Sequence, residues 1–126
     1  MSKKTYSTDQ APAALGPYSQ AVAAGNLLFI SGQLPIDPAT GKLVEGDISA
    51  RTHRVVANIK AIAAAAGGSL DNIVKTTIFL TDLNDFQAVN AAYGEHFAAA
   101  PPARSTVQVA ALPLGSNIEV EAILSL

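Results

Sequence analysis

The period of the apolar positions changes several times along the chain, and each change marks an element. Tyr18 to Ala24 reads as a strand, Gly25-Asn26 as a turn, and Leu27-Leu28-Phe29-Ile30 as a short continuous apolar run of the kind a buried strand carries. Together they predict a hairpin. Before it, Thr8 to Pro17 contains Pro12, Gly16 and Pro17 and is expected to be extended and irregular. After it, Pro35 to Gly46 holds two prolines and two glycines and reads as loop.

The period then becomes helical. Ile48, Thr52, Val55, Ile59, Ile62 and Ala66 form one stripe, with Asp47 placed to cap its start and Gly67-Gly68 to stop it. Ile73 to Thr81 is rich in β-branched residues and predicts a central strand. A second helix follows, capped by Asp82 or Asn84, with Phe86, Val89, Tyr93 and Phe97 on one face and Pro101-Pro102 at its end.

Two strands close the pattern. In Arg104 to Ala111, Val107 and Val109 point one way, and Arg104, Thr106 and Gln108 the other. Gly115-Ser116 turns the chain and Asn117 to Leu126 runs back. The order ββαβαββ implies an α/β (α+β) layer with helices on one face of a mixed sheet. The other face then needs a cover from outside the chain, or stays wet. If the last two strands pair as a hairpin about residues 112–116, Arg104 and Glu119 stand about 16 Å apart at ~3.3 Å per residue. They then meet in one small site only across a subunit interface, or if the pairing differs.

Composition narrows the classes. The chain has 126 residues, a formal net charge of −2 and no cysteine. Disulfides, thiolate metal sites and cysteine nucleophiles are therefore excluded. Alanine supplies 24 of the 62 hydrophobic residues, so bulky side chains are few for one domain of this length. Met1 to Tyr6 carries two lysines without an apolar stretch behind them, unlike a secretory signal, and no segment approaches the length of a membrane span. The expectation is a cytoplasmic protein with no membrane contact. Its slightly acidic balance speaks against nucleic acid as a partner.

Several polar residues stand in places worth testing. Asn90 lies on the apolar stripe of the second helix, where a buried amide bonded to nearby backbone is the simpler reading and a ligand anchor the other. Ser31-Gly32 ends an apolar strand. Spacing alone makes it a strand end and turn, although glycine also permits close approach of a ligand or another chain segment. Arg104 opens a strand whose face it shares with Thr106 and Gln108. A solvated edge is the usual role for such a residue, and the planar guanidinium also suits a carboxylate ligand. Glu119 and Glu121 share one face of the last strand, opposite Ile118, Val120, Ala122 and Leu124. His53 and His96 fit no metal-ligand spacing and read as surface residues. No phosphate-binding glycine loop or nucleophile-elbow pattern is present. Spacing alone thus yields a small α/β domain with a suspicious arginine and no reaction.

A set of segments resembles the reactive intermediate deaminases, the RidA/YjgF family. These are Ala11-Pro12, Gly16-Pro17-Tyr18-Ser19-Gln20-Ala21, Phe29-Ile30-Ser31-Gly32-Gln33-Leu34-Pro35, Val74 to Leu80, Val89-Asn90, Pro102-Ala103-Arg104-Ser105 and Ile118-Glu119-Val120-Glu121-Ala122. They fall in order at compatible spacing, and the likeness covers residues 1–126 as a single domain. The resemblance implies a chorismate-mutase-like fold in a homotrimer with a central β-barrel and sites between subunits. It implies hydrolysis of 2-iminopropanoate and 2-iminobutanoate, formed from 2-aminoacrylate and 2-aminocrotonate, to 2-keto acids and ammonia, with no cofactor and no metal. Arg104 would bind the substrate carboxylate and Glu119 would position water. Tyr18, Ser31, Gly32, Asn90 and Thr106 match positions that line the cleft.

The sequence departs from that pattern in three places. Thr106 stands where the family often has cysteine, and Val120 where isoleucine or methionine is usual. The segment from Asn90 to Arg104 is shorter, with Pro101 replacing a phenylalanine. The last bears on substrate preference more than on activity. Two other readings stay open. One is a small-molecule-binding, regulatory or chaperone-like trimer, translation-related in some relatives. The other is a chorismate-mutase-type catalyst, which would need more cations than one arginine.

Overall fold

The computed structural model describes residues 3–126. Met1 and Ser2, the first residues of the stretch read as lacking a secretory signal, lie outside it. A six-stranded sheet runs in the order β1-β2-β3-β8-β6-β7. Its strands are β1 (Lys4–Tyr6), β2 (Ala21–Ala24), β3 (Leu27–Gln33), β6 (Ile73–Leu80), β7 (Ala103–Gln108) and β8 (Ile118–Ser125). β4 (Ile36–Asp37) and β5 (Lys42–Leu43) form a separate small hairpin inside the predicted loop. Helices α1 (Ile48–Ala65) and α2 (Phe86–Gly94) cover one face of the sheet.

Local chemistry explains α1. Asp47 Oδ1 accepts from Ala50 N at 2.9 Å, occupying one of the donors a helix start leaves free. Gly67 takes φ +84° just beyond the end, a conformation that other residues reach only with strain. The stripe Thr52, Val55, Ile59 and Ile62 is buried against Leu28 and Ile30 of β3 and Ile118 to Leu124 of β8. Each such side chain contributes about 1.5–3 kcal/mol relative to exposure.

Alternation explains β8. Ile118, Val120, Ala122 and Leu124 are all buried beneath the helices, while Glu119, Glu121 and Ile123 face the open side. The open face exposes Phe29 at 43% and Val107 at 41%. These apolar side chains share the open face with Glu119 and Glu121.

Two expectations fail. β7 and β8 do not pair as a hairpin. β7 runs parallel to β6 at the sheet edge, and β8 lies between β3 and β6. The connection from β6 to β7 passes through α2, which makes β7 parallel to its neighbour. β8, with its fully apolar inner face, takes the central place, where both edges find partners. The second helix ends at Gly94, well before Pro101-Pro102, so Phe97 lies beyond it and stacks on Tyr93 at 4.5 Å. His53 and His96 are both partly exposed, and His53 Nδ1 and His96 Nε2 share a hydrogen bond of 2.8 Å that ties α1 to the turn after α2.

Candidate functional site

The family-matching residues fall into two groups on opposite faces of the sheet. The first surrounds Glu119 on the open face. Here β3 carries an irregularity between Ile30 and Gln33, so Ser31 and Gly32 leave the regular ladder with β8. Ser31 N donates to Gln20 O at 2.9 Å, and its hydroxyl donates to Ser19 O at 2.6 Å. These bonds hold the Tyr18–Gln20 segment beside the bulge. A Cβ at Gly32 would stand 2.8 Å from Glu119 Oε2, so the glycine makes room for the carboxylate. Spacing alone predicts a strand end and turn at Ser31-Gly32; the structure shows a bulge and a close approach instead. A cavity of about 210 Å3 opens next to Gly32, walled by Tyr18, Leu15, Leu34, Pro113 and Leu114. Burial and then the like charge of Glu121 push the Glu119 carboxyl above its ordinary range.

The second group surrounds Arg104 on the helix face, at the edge of the sheet. Arg104 is in register with Thr76 of β6, whose hydroxyl shares a 2.7 Å hydrogen bond with Tyr93 OH in the core. The guanidinium lies 5.1 Å from the Tyr93 ring centre and 5.6 Å from that of Phe86. Two aromatic faces attract the cation and limit its excursions. Among the described residues Arg104 forms no ion pair. Two residues on, Thr106 Oγ1 is buried with no hydrogen-bond partner among the described residues. An unpaired buried hydroxyl costs stability, so it marks a place where a ligand atom would be welcome. Burial raises the Tyr93 hydroxyl, offset by the Thr76 bond and the charge of Arg104, so Tyr93 stays a neutral phenol.

Asn90 corrects an expectation. It is exposed, and its side chain makes no protein hydrogen bond among the described residues, so the buried, backbone-bonded reading fails. On α2 it stands four residues after Phe86 and three before Tyr93, on the helix face that carries the Arg104 shelf.

Register separates the two groups. Thr76 faces Arg104 on one side and Ala122 on the other, and Glu119 is three residues from Ala122, on the opposite face. Arg104 and Glu119 of one chain therefore cannot share a small-molecule site. The expected separation stands, and its cause is the face of the sheet rather than the length of a hairpin. Among the described residues no cluster of three His, Asp or Glu side chains has metal-binding geometry, and no helix is long and apolar enough to cross a membrane.

Sequence reasoning missed four contributors. The stripe of the second helix accounts for Phe86 and Tyr93 as apolar packing, and both also lie under the arginine. Gln20 and Asn58 are buried amides whose partners are backbone atoms far away in sequence, and no periodic signal marks them.

Comparisons with known proteins follow the same residues. A family model described as endoribonuclease L-PSP matches residues 8–125. The chain is 55% identical to protein DfrA of Myxococcus xanthus, over 98% of this chain and 95% of that one. It is 49% identical to the 2-iminobutanoate/2-iminopropanoate deaminase of Bos taurus, over 96% and 88% of the two chains. The crystal structure of E. coli TdcF with bound serine superposes with a TM-score of 0.91 at 44% identity, covering 98% of each chain.

Proposed function

The chain belongs to the RidA/YjgF family, and on that premise we propose that it hydrolyses 2-imino acids to 2-keto acids and ammonia. The observation that carries the reading is Arg104: a guanidinium resting on two aromatic rings, with no ion-pair partner among the described residues and the unpartnered Thr106 hydroxyl beside it. That is a carboxylate receptor with a second hydrogen-bonding atom next to it. The bovine relative's name and the serine bound to TdcF support a small amino-acid-like ligand.

The working unit is a homotrimer with its sites between subunits. Arg104, Thr106 and Asn90 of one chain face Glu119, Gly32, Ser31 and Tyr18 of the next. The apolar open face, with Phe29 and Val107 exposed, supports such an assembly.

The substrate enters as an iminium carboxylate. Arg104 donates two N–H bonds to the carboxylate and stays charged at any working pH. This holds C2 in line with a water on Glu119. As the water oxygen bonds to C2, the C=N electron pair moves to nitrogen and Glu119 takes a water proton. The proton then passes to the amine of the tetrahedral intermediate. The C–N bond breaks, and its electron pair leaves with ammonia. The remaining hydroxyl loses its proton to Glu119 and becomes the keto oxygen. Thr106 Oγ1 accepts a hydrogen from the nitrogen while it is positive. The raised carboxyl of Glu119 is a stronger base than an ordinary glutamate. Imines hydrolyse in water unaided, so the ~10²–10⁴-fold available from a positioned acid–base is sufficient.

The test is release of pyruvate from 2-aminoacrylate generated in situ. Wild type accelerates it and Arg104→Ala does not. Equal rates, or silence from both, overturn the deaminase reading and favour a binding or regulatory trimer.

A further inference from the structure

Between the end of α2 and Arg104 the chain is held by few bonds. Phe97 N donates to Gly94 O at 3.4 Å, and from Ala98 to Pro101 no backbone–backbone hydrogen bond forms among the described residues. His96, just before this stretch, is fastened across to α1. His53 Nδ1 and His96 Nε2 lie 2.8 Å apart with the ring centres at 5.0 Å, so the two nitrogens meet head-on. The next residue, Phe97, stacks on Tyr93 at 4.5 Å, and the Tyr93 ring centre lies 5.1 Å from the Arg104 guanidinium. The bond between the two histidines therefore anchors the far end of the shelf on which the arginine rests.

A hydrogen bond between two imidazoles needs one N–H and one lone pair. It forms when both rings are neutral. It also survives one added proton, because a cationic ring donates strongly to a neutral one. It fails when both rings are cations, since Nε2 then has no lone pair and two like charges face each other.

His96 is the ring that resists its proton. Burial, and then the charge of His53, hold it below the ordinary imidazole range; Glu95 pulls the other way, and Lys60 of α1 acts with His53. Glu95 Oε2 also lies 3.7 Å from His53 Nε2, the nitrogen turned away from the bond. Asp71, in the turn before β6, is the other acid lining the cleft beside His96.

Resting on the reading of Arg104 as a carboxylate receptor, we propose that the His53–His96 bond is a proton-sensitive latch that holds the Phe97–Tyr93 shelf in place under Arg104. His96 is then a positioning residue, acting on the arginine through Phe97 and Tyr93. Because the folded state holds His96 below its ordinary value of 6.5, the latch is fully closed above that pH and is lost as pH falls through the lowered pKa. The second proton opens the bond, the turn is freed, and affinity for a carboxylate drops.

The experiment measures the dissociation constant of pyruvate by calorimetry from about pH 7.5 down to about pH 5, where carboxylate and guanidinium both stay ionised. Pyruvate is a product of the proposed reaction, and its binding reads Arg104 without turnover. Wild type is expected to lose affinity about three- to tenfold toward the acid end, the size of one hydrogen bond. Protonation of Glu119 acts in the opposite direction, because it removes a negative charge near the anion. His96→Gln puts an amide oxygen near the place of Nε2, which accepts from His53 in either charge state, so it is expected to keep the high-pH affinity throughout. His96→Ala is expected to show the weak affinity throughout, and Arg104→Ala to bind no pyruvate. Where His96→Ala does not fold, the wild-type and His96→Gln profiles decide alone. Wild-type affinity that does not weaken toward acid pH, or a His96→Gln profile that follows wild type, overturns the latch; so does a folded His96→Ala that matches wild type at the high-pH end. In each of these cases binding that still depends on Arg104 leaves the receptor reading intact. Pyruvate binding that is absent at every pH, or indifferent to Arg104→Ala, removes the receptor reading and the latch with it.

Discussion

Gly32 and Glu119 are in contact across the sheet: a methyl group on the glycine would lie 2.8 Å from Oε2 and 2.9 Å from the carboxyl carbon. The glycine's role is space for that carboxylate, since its own φ is not in the left-handed region. Gly32→Ala therefore moves a flexible acid rather than the backbone. The expected result is a kcat at least tenfold lower with a thermal midpoint within a few degrees of wild type. A variant that keeps its kcat would show that the position of Glu119 does not matter to the reaction.

Arg104 makes the complementary prediction. The guanidinium carries its charge over the rings of Tyr93 and Phe86 and, being a planar fork, presents paired N–H groups. A lysine keeps the charge and loses the paired donors. Arg104→Lys is expected to raise KM about tenfold or more, a loss of at least ~1.4 kcal/mol in substrate binding. Tyr93→Phe, which keeps the ring and loses the bond to Thr76, falls between the two. Steady-state kinetics on one imino acid decide the order, and an order with Tyr93→Phe worst would place the hydroxyl, not the ring, under the arginine.

How much of this was legible in advance depended on the range of the interaction. α1 was readable because cap, stripe and stop all lie within about twenty residues, from Asp47 to Gly67. The alternation of β8 was readable because Ile118 to Leu124 carry it themselves. The place of β7 was not. Short sequence separation from β8 favoured a hairpin, and nothing local records that β8 is needed in the middle of the sheet. The site follows the same rule. The resemblance picked out Arg104, Glu119 and Gly32 one by one, but the contact between Gly32 and Glu119 joins strands far apart in sequence. The shelf under Arg104 was hidden because Phe86 and Tyr93 satisfy the apolar stripe of α2, and a stripe does not say what its edge supports.

The raised Glu119 carboxyl gives a pH prediction with a definite sign. The proposed reaction needs the ionised form, so activity is expected to fall as pH drops through the Glu119 pKa, which lies above the ordinary value of 4.5. Burial is the larger cause and the charge of Glu121 the second. Glu121→Gln removes the like charge, so the acid limb of the kcat/KM profile is expected to move to lower pH. Glu119→Gln abolishes the limb together with most of the turnover. A limb that moves to higher pH in Glu121→Gln, or Glu119→Gln retaining more turnover than Glu121→Gln, would assign the base to the wrong glutamate.

Opposite faces of one sheet make the sharpest prediction about assembly. Arg104 and Glu119 of one chain lie on opposite faces, so the proposed site takes one of them from each of two chains. Arg104→Ala and Glu119→Gln are each expected to be inactive alone. In the proposed trimer, unfolding and refolding them together at equal amounts gives mixed assemblies. A site is intact only where an Arg104 from the Glu119→Gln chain meets a Glu119 from the Arg104→Ala chain, which happens at about one interface in four for random mixing of a cyclic trimer. The mixture is therefore expected to recover roughly a quarter of wild-type activity, where each variant refolded alone recovers none. A mixture that stays silent while sedimenting as mixed trimers would mean that both groups must come from one chain. The register of β6 with its two neighbours forbids that, so the roles of the two residues would then have to be reassigned.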